Sequence, residues 1–154
     1  MPRLSRLLRR LRTALGMSSL PHSGHGYVVC VPVESLRCRL YATLQMQNSK
    51  GQSACEVASD LQISCVGKDS AVLQGLLDSG DYYKGPSGQS PCVCNTVMYS
   101  LIAGCQLCQY DVPSALLAWS VYASNCTDRT NGSYPNSVPS GTAIPAWAYQ
   151  DVMI

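Results

Sequence analysis

Phenylalanine is absent from this chain of 154 residues, only 13% of the residues are charged, and long apolar runs are missing. The longest apolar run, residues 27–33, is interrupted by Pro32 and falls well short of the ~20 residues that a transmembrane helix needs. The first residues lack the apolar centre of a secretory signal peptide. The sequence therefore predicts no membrane span in this chain.

Histidine is scarce, which limits the catalytic possibilities. His22 and His25 both lie in the N-terminal region, so we expect no histidine general base in the core. The sequence holds no phosphate-binding glycine loop, and its aspartates show no spacing that marks a catalytic carboxylate pair. We therefore expect no enzyme, and a small secreted hydrolase with a hidden carboxylate pair is the weaker alternative.

The positive charge is concentrated at the N-terminus. Five of the eleven basic residues lie within residues 3–12, and six basic against nine acidic side chains leave residues 13–154 at −3. This mildly acidic body argues against a nucleic-acid partner. Leucines recur at helical spacing in residues 1–16, which is typical of a membrane-surface helix or a presequence, or else of a solvated basic tail. We expect residues 1–46 to be poorly ordered and residues 47–154 to form the domain.

Cysteine is abundant: nine residues, seven of them between residues 55 and 126. In a small chain this density predicts a disulfide framework and an oxidising compartment, on the extracellular or lumenal side of the secretory pathway. We expect about three disulfides among the following residues: Cys55, Cys65, Cys92, Cys94, Cys105, Cys108 and Cys126. Cys30 and Cys38 complete the set, and the odd count leaves at least one cysteine without an intramolecular partner.

The close pairs Cys92/Cys94 and Cys105/Cys108 allow two other interpretations. They could supply a four-cysteine zinc site in an intracellular domain, or a Cys-x-x-Cys redox centre. Zinc ligands of this kind usually lie on tight turns, and a redox pair usually opens a helix, whereas Cys105 and Cys108 close one. We therefore favour disulfides, with no cofactor, and the spacing leaves their connectivity open.

Three helices are expected. A capping box at Ser53 and Glu56 predicts a helix over residues 54–66, and a stripe that includes Cys94, Cys105 and Cys108 predicts another over residues 96–108. Pro113 suits the start of a third helix, on which the spacing of residues 116, 119, 123 and 126 directs Trp119 and Cys126 inward. Leu73, Leu76 and Leu77 are expected to anchor the loop between the first two helices.

The C-terminal residues carry prolines that exclude regular helix, so we expect an extended strap across the surface. The predicted fold class is thus a mainly α, small disulfide-rich domain with about three helices and this strap. Asn125 and Asn131 lie in glycosylation sequons, of which the second, on a glycine-containing loop, is the better acceptor. Five aromatic residues are either core or a carbohydrate-binding face: Tyr99, Trp119, Tyr122, Trp147 and Tyr149.

An ordered series of motifs resembles a known family. The motifs are residues 48–58, residues 83–86, Cys92-Val-Cys-Asn-Thr-Val-Met-Tyr-Ser-Leu-Ile-Ala-Gly-Cys-Gln-Leu-Cys-Gln109, Trp119, Asn125-Cys126, Tyr134-Pro135, Val138-Pro-Ser-Gly-Thr-Ala-Ile-Pro145 and residues 147–149. Over residues 47–152 the chain is similar to the cysteine-rich ectodomain of uncharacterised basidiomycete fungal proteins. Members of that family usually carry a signal peptide and one transmembrane helix, neither of which is visible here.

The resemblance implies a lumenal or extracellular domain, and it brings no catalytic residues with it. Together with the cysteines, it predicts a secreted or ectodomain-type interaction or structural module. Its partner would be a protein or a cell-wall carbohydrate.

Overall fold

The computed structural model describes residues 46–67, 73–78, 80–110 and 115–152. Within these ranges the domain is mainly helical: α1 is Ala54–Val66, α2 is Thr96–Gln109, α3 is Trp119–Tyr122, and a 3₁₀ helix spans Ala146–Tyr149. The same ranges contain no β-strand, only an isolated bridge between Asn95 and Thr130. The predicted small, disulfide-rich α domain is confirmed. Residues 1–45 lie outside the described residues. They include the amphipathic pattern of residues 1–16, Cys30, Cys38 and all of the predicted N-terminal segment except residue 46.

Helix α1 begins and ends where local signals place it. The amide of Glu56 donates to the hydroxyl of Ser53 at 3.3 Å, and the amide of Ser53 donates to the Glu56 carboxylate at 2.8 Å. This reciprocal capping satisfies two donors that the first turn would otherwise leave without partners. Gly67 ends the helix with a φ of 80°, a conformation that favours glycine. The prediction of a helix over residues 54–66 is confirmed.

Helix α2 is the central element of the core, and α1, α3 and the 3₁₀ helix all pack against it. Its N-cap is Asn95, whose side-chain oxygen accepts from the amide of Met98 at 2.8 Å while its side-chain nitrogen donates to two backbone carbonyls. Asn95 itself is fully buried, so this polar side chain is satisfied within the fold. The helix ends one residue later than the predicted 108.

Helix α3 is much shorter than the pattern from Pro113 to Cys126 predicted. Residues 116–118 and 123–126 are not helical, and Pro113 lies outside the described residues. The amides of Ser124 and Cys126 instead donate within tight turns, which lets Cys126 reach its disulfide partner. Trp119 and Cys126 are nevertheless buried, as predicted. The short helix and the turns after it direct these side chains inward, without the one long helix that the spacing predicted.

The loop before α2 is fastened to that helix mainly by hydrogen bonds. The side-chain oxygens of Gln106 and Gln109 accept from the amides of Tyr83 and Leu76. Leu73 packs against the core, as predicted for an anchor of the loop, whereas Leu77 is 81% exposed, so the prediction is wrong for that residue. Further along, Gly85 lies so close to the carbonyl group of Tyr122 that a Cβ there would collide with backbone.

The C-terminal strap is extended until its last turn, as predicted, but it is not confined to the surface. The hydroxyl of Tyr134 donates to the carbonyl of Leu61 at 2.9 Å, and the side chain of Asn48 donates to the carbonyl of Ala143 at 2.7 Å. The 3₁₀ helix then turns Trp147 into the core, where it is 8% exposed. Its indole ring approaches Gly104 on α2, and the absence of a Cβ at Gly104 permits this close packing.

Candidate functional site

Three disulfides connect the elements of the fold. Their Cα–Cα distances all fall within the usual range of about 4.4–6.8 Å. The pairs are Cys55–Cys105 at 4.6 Å, Cys65–Cys92 at 6.2 Å and Cys94–Cys126 at 5.7 Å. Cys108 is also disulfide-bonded. The predicted disulfide framework is confirmed, and it indicates an oxidising environment.

Each bridge joins segments that are distant in sequence. Cys55–Cys105 joins the first turn of α1 to the middle of α2, and both residues are fully buried. Cys65–Cys92 joins the end of α1 to the loop before α2, where the side-chain amide of Asn136 on the strap donates to both sulfur atoms. Cys94–Cys126 joins the start of α2 to the turn after α3. The cysteines therefore determine how the short helices are arranged.

The four cysteines of the zinc alternative are engaged elsewhere. Cys92, Cys94 and Cys105 each bond to a different cysteine outside that set, and Cys108 is also in a disulfide. A sulfur atom in a disulfide is not a thiolate, which is the ligand that a four-cysteine zinc site requires. Cys105 and Cys108 do not pair with each other, so the Cys-x-x-Cys redox interpretation is wrong as well. The described residues also hold no cluster of three or more metal-ligating side chains.

The carboxylates with identified hydrogen bonds serve structural roles. Glu56 caps α1, Asp81 accepts from the amides of Leu77 and Asp78 in a turn, and Asp60 accepts from Gln52 and Thr142. The last group attaches the strap to α1.

Three of the aromatic residues form one buried cluster between α2 and α3. The rings of Tyr99 and Trp119 are 5.5 Å apart and those of Tyr99 and Tyr122 are 5.3 Å apart, in edge-to-face and tilted arrangements. Burial raises the pKa of Tyr99 to about 12, and it raises the pKa of Tyr122 further, with a smaller contribution from Tyr99. These rings belong to the core, so they do not form the carbohydrate-binding face considered above; only Tyr149 of the five aromatic residues is substantially exposed.

A small apolar pocket lies between α2 and the C-terminal residues. Its volume is about 30 Å³, and its lining residues are Met46, Tyr99, Ser100, Ala103, Gly104, Leu107, Leu116, Trp147, Gln150, Asp151 and Val152. Two lining residues, Ser100 and Trp147, each carry a buried polar atom with no hydrogen-bond partner: the hydroxyl oxygen of Ser100 and the indole nitrogen of Trp147. Both atoms are shielded from solvent, so each is an unsatisfied polar group of the core.

Sequence reasoning did not identify this pocket. Ala103, Gly104 and Leu107 lie on a helix face that resembles ordinary core. The strap was expected on the surface, with Trp147 either in the core or on a carbohydrate-binding face. The wall combines residues 99–107 with residues 147–152, about 40 positions later in the chain, so no local spacing marks it. The combination of small residues on α2 and a distant tryptophan was the only available signal.

The two glycosylation sequons differ in their surroundings. The side-chain nitrogen of Asn125 donates to the carbonyl of Pro86 at 3.1 Å, and the hydroxyl of Thr127 donates to Gln89 at 2.7 Å. Cys126 between them is buried in a disulfide. In the second sequon, Asn131 is exposed and its side-chain oxygen accepts from Thr96, an interaction that does not involve the side-chain nitrogen to which a glycan would be attached. The geometry therefore favours Asn131 as the acceptor.

Comparison with known proteins gave no match: no family model, no curated protein and no solved structure is significantly similar to the chain. Among the helices of the described residues, none combines the length and the apolar character needed to cross a bilayer.

Proposed function

We propose that this protein is a disulfide-stabilised interaction or structural module of the secretory pathway or the extracellular space. The observation that carries the proposal is that all seven described cysteines are in disulfides. Such frameworks persist where thiols are kept oxidised, and they are rare in the reducing cytosol. The resemblance to basidiomycete ectodomains agrees with this location.

The small core explains why such a module depends on covalent links. Helix α3 has four residues, and the loops and strap provide much of the chain. A helix this short is not stable in isolation, because its packing must offset the cost of ordering it. Disulfides reduce that cost by constraining the unfolded chain. A rigid scaffold with long surface loops suits recognition of a protein or a cell-wall carbohydrate, which is the class of partner that we propose.

The thiol count tests this proposal. The three described bridges and the bonded Cys108 account for seven of the nine cysteines. The protein exported from cells should therefore expose at most two thiols on denaturation without reductant. Alkylation of the denatured protein followed by intact-mass measurement gives the number directly. A protein reduced before denaturation, which should take nine labels, is the matched control. Seven or more labels on the unreduced protein would overturn the proposal.

Export should also reveal which sequon is used. We expect secreted protein to carry an N-linked glycan at Asn131, because the side chain of Asn125 and the hydroxyl of Thr127 are engaged in the fold. Asn131→Gln should abolish the mobility shift that an endoglycosidase removes, whereas Asn125→Gln should leave it unchanged. A glycan that survives Asn131→Gln would contradict this assignment.

A further inference from the structure

We propose that the Cys65–Cys92 bridge is a thiol-exchange site, at which a small thiol such as glutathione opens the disulfide while the protein stays folded. The thiol attacks Cys65, and Asn136 stabilises the departing Cys92 thiolate. Such reactivity goes beyond the proposed function, in which the bridges only hold the scaffold together. The supporting observations are the unequal burial of the bridged cysteines, the position of Cys65 in α1 and the hydrogen bonds of Asn136.

The three described bridges differ in how well the fold shields them. Five of their six cysteines are at most 4% exposed: Cys55, Cys92, Cys94, Cys105 and Cys126. Cys65 is only half-buried. Thiol exchange requires contact between the attacking sulfur and a disulfide sulfur, so access decides which bridge reacts. Among these bridges, Cys65 is therefore the residue that a thiol from solution reaches in the folded protein.

Cys65 lies in the last turn of α1, at the surface of the domain. Its neighbours in the chain are also accessible, since Ser64 is exposed and Val66 is 50% exposed. A terminal turn has fewer helical hydrogen bonds than the helix interior, so it opens locally at a lower cost in free energy than the core does. The Cys55–Cys105 bridge holds the first turn of α1 against α2, so the end of the helix can open while the rest of α1 stays packed.

Asn136 contacts both sulfur atoms of the bridge. Its side-chain nitrogen donates to the Sγ atoms of Cys65 and Cys92. A hydrogen bond to a thiolate is stronger than one to a neutral disulfide sulfur, because the acceptor is charged. Asn136 therefore stabilises the thiolate that leaves from Cys92, and it offsets part of the cost of forming a charge at a buried residue.

The exchange is a substitution at sulfur. The thiolate of the small molecule forms a bond to Cys65 Sγ, the bond between Cys65 and Cys92 breaks, and Cys92 leaves as a thiolate that takes a proton from water. A second small thiolate then attacks the small-molecule sulfur of this mixed disulfide and releases Cys65 as a thiolate, which also takes a proton. Two small thiols are thereby oxidised to one disulfide, and the protein bridge is reduced to two thiols.

Incubation of the full chain with reduced glutathione at mildly alkaline pH tests the proposal. Samples taken over time are quenched with acid, denatured and alkylated, and peptide mass spectrometry locates the labels. We expect the Cys65–Cys92 bridge to open at least about tenfold faster than the other two described bridges, with a glutathione adduct on Cys65. Tryptophan fluorescence should stay native, because both tryptophans lie in the core cluster.

Two variants test the role of Asn136. Asn136→Leu keeps a side chain of similar size beside the bridge and removes the donor, so the bridge should open about three- to tenfold more slowly. Ser137→Leu is the matched control: it adds the same side chain at the next exposed position, keeps the donor and should leave the rate unchanged.

Three results would each overturn the proposal. The first is opening of the Cys55–Cys105 or Cys94–Cys126 bridge as fast as the Cys65–Cys92 bridge, and the second is loss of native tryptophan fluorescence while Cys65 is being labelled. The third is an undiminished rate in Asn136→Leu.

Discussion

Simultaneous replacement of Cys55 and Cys105 by alanine is expected to lower the free energy of unfolding by about 4 kcal/mol. The two residues are 50 positions apart, and the chain-entropy model assigns about this value to a loop of that length. Since small domains are stable by only about 5–15 kcal/mol, the variant should be largely unfolded at moderate urea concentrations. Equilibrium urea unfolding, followed by tryptophan fluorescence, measures the change.

The matched control is the double replacement of Cys65 and Cys92. Its loop spans 27 positions, and Cys65 is only half-buried, so the loss should be smaller, at about 3–3.5 kcal/mol. The fully buried Cys55 and Cys105 also leave space in the core when their sulfur atoms are removed. A larger loss for the Cys65/Cys92 variant than for the Cys55/Cys105 variant would contradict this order.

The sequence predicted α1 and α2 well because the signals that define them are local. Ser53 and Glu56 are three residues apart, and each satisfies the backbone of the other. At the start of α2, the side-chain oxygen of Asn95 accepts from the amide of Met98, three residues later. Such contacts form within one turn, so their residue types can be recognised without knowledge of the fold.

The features that the sequence did not predict depend on contacts between residues that are distant in the chain. The spacing of Leu116, Trp119, Ala123 and Cys126 resembles a helix, but the bond of Cys126 to Cys94 and the turns before it produce the same burial pattern. The burial of Trp147 depends on Gly104, 43 positions earlier in the chain. Disulfide connectivity and the pocket could not be predicted for the same reason, since both depend on which segments come into contact in the fold.

The aromatic cluster should be the most sensitive non-covalent part of the core. Trp119→Ala is expected to lower the free energy of unfolding by about 3–5 kcal/mol, because it removes the largest side chain that links α3 to α2. The Trp119 ring lies 5.5 Å from Tyr99 and 5.9 Å from Tyr122, so both neighbours lose packing. Tyr149→Ala is the control: that ring is 42% exposed and its removal should cost less than about 1 kcal/mol.

Titration of the tyrosines shows whether Trp119→Ala disrupts the packing around Tyr99 in particular or only lowers the stability of the fold as a whole. In the native protein, burial raises the pKa of Tyr99 to about 12, compared with about 10 in the unfolded chain. The folded state therefore favours the neutral phenol: this contribution to stability is complete below about pH 10 and is lost as the pH rises through about 12. Trp119→Ala should open the cluster to water, lower the pKa of Tyr99 and reduce this loss of stability at alkaline pH. Ultraviolet titration of phenolate absorbance under folding conditions measures the change, and an unaltered tyrosine titration in a folded Trp119→Ala protein would show that Trp119 does not shield Tyr99.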